Sequence, residues 1–133
     1  MLRTAYATGD GTAVDQHFGW CRRFDIYDLC ADAVELVEVR YLPDIPDDEL
    51  DKINSRLDQV RDCAIIHICD IGGSAAAKVV NARIHPVKVP SGTPVEELVS
   101  RLQKVLAGTP PPWLRKVLAA HRDESAPAWT PIA

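Results

Sequence analysis

The loop that follows the first predicted strand carries side chains that could bind a metal. His17 offers an imidazole nitrogen and Cys21 offers a sulfur atom. Imidazole and thiolate together suit iron, zinc or an iron–sulfur cluster. Arg22 and Arg23 are expected to lower the pKa of Cys21 and to attract an anionic ligand. Asp15 is expected to orient the imidazole of His17 through a hydrogen bond, without contacting the metal itself.

The same loop also has a purely structural interpretation. His17 could serve only as a cap or a hydrogen-bonding side chain, with Phe18 and Trp20 packed on the core. Two ligand types in one loop do not by themselves define a metal site. Both interpretations stay open on the residues of the loop alone.

A second candidate segment lies where a predicted strand ends and a helix begins. It contains Cys69 and the run Gly72, Gly73 and Ser74. Ligands bind at this edge of open α/β sheets, and the free backbone N–H groups at a helix start favour an anion. The alternative is a plain glycine turn with Cys69 in the core.

Hydrophobic periodicity predicts the elements that position these two segments. The predicted strands cover residues 2–8, 24–29, 33–41, 63–69 and 86–89. Four helices are predicted. The first is capped by Asp47, and the second opens at residues 72–74 and runs to about residue 82. The third begins at a Thr93–Glu96 capping box and ends at Gly108, and the fourth occupies residues 113–118.

This order of elements predicts an α/β fold with a five-stranded mixed sheet and helices on both faces, the ribonuclease H-like layout. The second strand is expected to run antiparallel to its neighbours. The first and fourth strands are expected to be adjacent and parallel, which brings the His17 loop and the Cys69 turn together. Residues 1–121 are predicted to form this single domain, and residues 122–133 a disordered tail.

Composition excludes several classes of function. The 133 residues carry a net charge of −4, which argues against a nucleic-acid partner. No apolar run approaches the roughly 20 residues of a membrane helix, so we expect no membrane association and a cytoplasmic protein. The four cysteines form no Cys-x-x-Cys pair, and the first strand lacks the carboxylates that a two-metal nuclease needs.

Several segments together resemble the nitrogenase cofactor-biosynthesis carriers. This family comprises the NifX, NifY and NafY proteins and the C-terminal domain of the NifB protein. The resemblance spans about residues 1–120, and its ending is most similar to the NifX members. The segments that carry it are VDQHFGWCRRFDIY at 14–27, GGSAAA at 72–77, PVKV at 86–89, GTP at 92–94 and PPWL at 111–114.

The resemblance implies a ribonuclease H-like fold without nuclease activity. It also implies binding of the iron–molybdenum cofactor or of its iron–sulfur precursors, and transfer of this cargo among assembly proteins. His17 matches the cluster-ligating histidine proposed for the family, whereas Cys21 and Cys69 are our extension of the ligand set. The expected partners are the radical enzyme that makes the precursor and the assembly scaffold.

The sequence therefore predicts a non-catalytic carrier whose cargo is held by His17 and Cys21. Arg22, Arg23 and the amides near Gly72–Ser74 are expected to hold negative charge. Two alternatives remain: a metal-dependent phosphoester hydrolase on the same fold, and an interaction protein that binds assembly partners without a cluster.

Overall fold

The computed structural model describes residues 1–42 and 48–121 of the chain. Within them lie seven strands, four α-helices and one short 3₁₀ turn at Phe18–Trp20. The strands are β1 (Leu2–Ala7), β2 (Ala13–Val14), β3 (Arg23–Cys30), β4 (Ala33–Tyr41), β5 (Ile65–Ile68), β6 (His85–Lys88) and β7 (Thr93–Pro94). The helices are α1 (Glu49–Val60), α2 (Gly73–Asn81), α3 (Val95–Ala107) and α4 (Pro112–Ala120).

Five strands form one mixed sheet in the order β4-β3-β1-β5-β6. β3 runs antiparallel to both β1 and β4, whereas β1, β5 and β6 are parallel. The register places Tyr6 of β1 beside His67 of β5. The predicted mixed sheet is confirmed. The second predicted strand, which is β3, runs antiparallel to its neighbours, and the first and fourth predicted strands, which are β1 and β5, are adjacent. The ribonuclease H-like assignment stays a prediction.

The sheet is covered on both faces, as predicted. Helices α1 and α2 contribute Ile53, Leu57 and Val79 to one hydrophobic cluster, while α3 and α4 contribute to the other. All four residues of β5 are buried, because helices pack on both of its faces. The edge strand β4 extends beyond the packed region, and most of its side chains are exposed.

Two local predictions differ from the structure. Residues 13–14, predicted as loop, pair with residues 93–94 in a small two-stranded sheet. This pairing makes Thr93 part of a strand, and its hydroxyl donates to the carbonyl of Pro90 at 2.5 Å, so the predicted capping box is wrong. The observed cap of α1 is Asp48, which accepts from the Asp51 N–H. The predicted cap, Asp47, and the predicted tail at 122–133 lie outside the described residues.

Candidate functional site

The His17 loop lies directly beside the turn that follows β5. His17 forms an isolated parallel bridge with Asp70. The N–H of Phe18 donates to the Asp70 carbonyl at 2.9 Å, and the N–H of Cys69 donates to the Gln16 carbonyl at 3.1 Å. Because β1 and β5 are parallel neighbours, the segments after their carboxyl ends meet at one sheet edge. The predicted meeting of the two segments is confirmed.

His17 caps the 3₁₀ turn through its side chain. Its Nδ1 accepts the N–H of Gly19 at 2.9 Å. A Cβ at Gly19 would lie 3.4 Å from the imidazole ring, so glycine at this position lets the amide approach the ring freely. The capping role that the structural interpretation assigned to His17 is therefore present.

The cap also determines what metal binding by His17 requires. When Nδ1 of a neutral imidazole accepts a hydrogen bond, the ring proton resides on Nε2. A metal at Nδ1 would displace the Gly19 N–H. A metal at Nε2 would require the ring proton to move to Nδ1, which could then no longer accept. Binding of a metal at either nitrogen therefore breaks the bond between His17 and Gly19.

Cys21 points away from the loop surface. Its side chain is fully buried in the cluster that contains Phe18 and Phe24, and its thiol donates to the Arg23 carbonyl at 2.9 Å. Burial raises the pKa of Cys21 to about 12, so the expectation that nearby arginines lower it is wrong. In this conformation the sulfur is a protonated core group and is not presented to a ligand.

The two arginines after Cys21 have different surroundings. Arg23 pairs with the buried Asp25 through two contacts, of 2.7 and 3.2 Å. Strand alternation places both side chains on one face of β3, so the carboxylate compensates the charge of Arg23. Arg22 is exposed, and its side chain forms no ion pair within the described segments. Of the two, Arg22 is the cation available to an anionic ligand.

The carboxylate near His17 is Asp70. Asp15 instead accepts from the Gly9 N–H at 2.9 Å and from the Gln16 side chain at 3.0 Å, so its expected contact with His17 is wrong. Lys88 lies 3.2 Å from Asp70 and holds the pKa of that carboxyl below its usual value. Sequence reasoning missed Lys88, although it ends β6 at the same edge of the sheet.

The turn after β5 completes this edge. Cys69 is half-buried, and Gly72, Gly73 and Ser74 are exposed. Helix α2 begins at Gly73 without a side-chain cap, and a Cβ at either glycine would meet no atom within 4 Å. The first N–H groups of α2 therefore lack a side-chain cap and follow shortly after Asp70, which pairs with His17, so they could donate to an anion at this edge.

Thiol labelling distinguishes the cysteines by burial. Cys69 and Cys30 are half-buried, whereas Cys21 and Cys63 are fully buried and burial raises the pKa of each of these two thiols. Iodoacetamide is expected to modify Cys69 and Cys30 in the native protein, and Cys21 and Cys63 only after unfolding. Peptide mass spectrometry reports each site. Native labelling of Cys21 at the rate of Cys69 would contradict the buried position.

Across residues 1–42 and 48–121, no three side chains of the His, Cys, Asp or Glu type are grouped so that they could hold a metal ion. In the same segments, no helix is long and apolar enough to cross a membrane.

Comparison with known proteins identifies the family. The family model described as "Dinitrogenase iron-molybdenum cofactor" matches residues 1–105. The chain belongs to this family. The family's relatives include protein NifX of Herbaspirillum seropedicae, 38% identical over 124 residues that cover 92% of this chain and 85% of the relative. Protein NifY of Azotobacter vinelandii is 39% identical over 92% of this chain but only 50% of its own length. The predicted membership is confirmed.

Solved structures share the fold. The crystal structure of the protein PH0822 superposes with a TM-score of 0.62 at 24% identity, covering 77% of this chain and 89% of that chain. A protein of Methanocaldococcus jannaschii superposes with a TM-score of 0.56 at 16% identity, over 77% and 88% of the two chains. At these identities the similarity concerns the fold of the family alone.

Proposed function

We propose that this protein takes part in iron–molybdenum cofactor biosynthesis as a non-catalytic carrier. Its cargo is an iron–sulfur precursor of the cofactor, or the cofactor itself, held on the edge of the sheet formed by the His17 loop and the turn after β5. His17 is the ligand to iron. Arg22 and the first N–H groups of α2 at Gly72–Ser74 hold the negative charge of the cargo.

One observation carries this proposal: the backbone bridge between His17 and Asp70 lies at the carboxyl edge of the parallel strands. Half-buried Cys69 and exposed Arg22 belong to the two segments that meet at this edge. Ligand sites of open α/β sheets lie at this edge, and imidazole is a ligand for iron.

The composition of the site suits a cargo that must leave again. Resident iron–sulfur clusters are held by four cysteine thiolates, which bind them durably. Here a single imidazole would form the bond to the metal, and charge would supply most of the remaining attraction. Charge attraction at an exposed edge is screened by salt, so cargo held in this way exchanges readily with a scaffold.

The relatives suggest where the cargo comes from and where it goes. A segment of the FeMo cofactor biosynthesis protein NifB of Bradyrhizobium diazoefficiens is 24% identical to this chain over 125 residues. We infer that the chain receives its cluster from the radical enzyme that makes the precursor and passes it to the assembly scaffold, both in the cytoplasm. Neither a nucleic acid nor a membrane has a role in this transfer.

Anaerobic mixing of the purified protein with isolated precursor cluster tests the proposal. The charge-transfer absorption of the cluster is expected to co-elute with the protein in gel filtration, earlier than the cluster elutes by itself. Cluster that elutes apart from the protein would contradict the carrier function and favour an interaction protein. Metal-dependent cleavage of a phosphoester by the purified protein would favour a hydrolase instead.

A further inference from the structure

Within the part of the chain that the structure describes, Arg56 is a buried cation without a carboxylate partner. It lies on α1, and its exposed fraction is zero. Its Nη1 donates to the Ser55 hydroxyl at 2.9 Å, while Nε and Nη2 have no hydrogen-bond partner among residues 1–42 and 48–121. Burial lowers the pKa of the guanidinium, which reflects the cost of keeping its charge away from water.

Such an arrangement destabilises the folded protein. A buried charge without its partner is costly to keep away from water, and an apolar side chain of similar volume at the same position avoids that cost. Buried polar groups are nearly always hydrogen-bonded, so an unsatisfied one calls for an explanation such as a functional role or a bound water or ion. The unpaired N–H groups of Arg56 are therefore evidence for a missing anionic ligand.

The position of Arg56 connects it to the His17 loop. α1 packs against the 3₁₀ turn at Phe18–Trp20. Cys21, which ends this turn, and Arg22, which follows it, are the electrostatic neighbours of Arg56. One helical turn earlier, the ammonium of Lys52 lies 4.0 Å from the centre of the Trp20 ring. Arg22, Lys52 and Arg56 therefore form a cation cluster on the side of the loop that faces α1.

The cap on the 3₁₀ turn couples this cation cluster to His17. Binding of a metal by His17 removes the bond from the Gly19 N–H to Nδ1. The ends of the turn stay anchored by buried Phe18, whose N–H donates to the Asp70 carbonyl at 2.9 Å, and by buried Cys21. At Trp20 the remaining contacts are the N–H bond to the His17 carbonyl at 3.1 Å and the contact of the 55% exposed ring with Lys52. Loading of His17 therefore loosens the Gly19–Trp20 part of the segment that packs against α1.

We propose that Arg56 is an anion-binding residue that the 3₁₀ turn covers in the empty protein and uncovers when His17 binds an anionic metal–sulfide cluster. The inference rests on the proposed carrier function. In the loaded protein a nitrogen of His17 replaces one terminal ligand of the cluster, which leaves with its electron pair. The N–H groups at Nε and Nη2 of Arg56 then donate to sulfur atoms of the cluster, and the buried charge gains its counter-ion.

Substitution of Arg56 by methionine separates this role from a structural one. The probe is a synthetic four-iron, four-sulfide cluster dianion with exchangeable thiolate ligands, titrated anaerobically and followed by its absorption. Arg56→Met is expected to bind the probe at least about tenfold more weakly than the wild type, the scale of a lost hydrogen bond to a charged group. Its melting temperature is expected to equal or exceed that of the wild type.

Arg61→Met is the matched control, because it removes the same charge at the exposed end of the same helix, where Arg61 pairs with Asp58. It should leave probe affinity and melting temperature unchanged. Arg56→Lys keeps the charge but replaces the planar fork of N–H groups by a single ammonium group. It should bind the probe with intermediate affinity.

The outcomes distinguish the two proposals. Wild-type affinity in Arg56→Met would overturn the role of Arg56 and leave the carrier function intact. A large loss of melting temperature in both Arg56→Met and Arg56→Lys would assign Arg56 a structural role and overturn the inference as well. A wild-type protein that binds no probe and no isolated precursor would refute the carrier function itself, and with it this inference.

Discussion

Replacement of His17 by alanine is expected to weaken cluster binding by at least about tenfold. Loss of a residue that only supports a metal ligand already costs 10- to 100-fold in affinity, so loss of the ligand itself should cost no less. The measurement is an anaerobic titration of wild-type and variant protein with the isolated precursor cluster. Full affinity in His17→Ala would mean that the cluster binds elsewhere and would overturn the role of His17 as its ligand.

Alanine also removes the cap on the 3₁₀ turn, so a second variant is needed. The side-chain oxygen of asparagine accepts hydrogen bonds at caps, so His17→Asn can keep the bond from the Gly19 N–H but offers no imidazole. We expect His17→Asn to retain the melting temperature of the wild type and to bind cluster as weakly as His17→Ala. Recovery of affinity in His17→Asn would mean that the cap, rather than the imidazole, supports binding.

The free energy of unfolding is expected to fall by about 3 kcal/mol as the pH drops from 7 to 4, because of one buried histidine. His67 is 4% exposed, its Nδ1–H donates to the Ala5 carbonyl at 3.3 Å, and its ring stacks on Tyr6 at 4.4 Å. Burial lowers the pKa of His67 to about 4, from 6.5 in the unfolded chain. The unfolded state therefore takes up a proton first, and stability declines below pH 6.5 until the folded state is protonated near pH 4.

Urea unfolding at a series of pH values measures this decline. His67→Phe keeps a ring to stack on Tyr6 but has no titrating group, so most of the decline should disappear. His85→Phe is the control: His85 is half-buried against Trp113, and burial lowers its pKa as well. The carboxyl of Asp62, whose pKa is lowered by Arg40 and Arg3, adds its own loss only below about pH 4. An unchanged decline in His67→Phe would contradict this assignment.

The sequence by itself determined the architecture. Alternation in strands and the helical spacing of apolar residues are local patterns, and they predicted the five main strands, the four helices and the antiparallel second strand. The same patterns predicted that the His17 loop and the Cys69 turn would meet, because the ends of adjacent parallel strands share an edge. The motifs of the loop also identified the family, whose model matches residues 1–105.

Only the tertiary structure decided which side chains of the loop are available. Cys21 and Arg23 have the right types and spacing for a ligand and a cation, but packing buries the thiol, and Asp25 compensates the guanidinium. In the sequence, Arg56 looks like an ordinary charged residue of a helix. In the described part of the chain it is buried, and its Nε and Nη2 have no hydrogen-bond partner there. Residue type and spacing define what a side chain could do, whereas burial and partners depend on contacts between segments distant in the chain, which local periodicity does not encode.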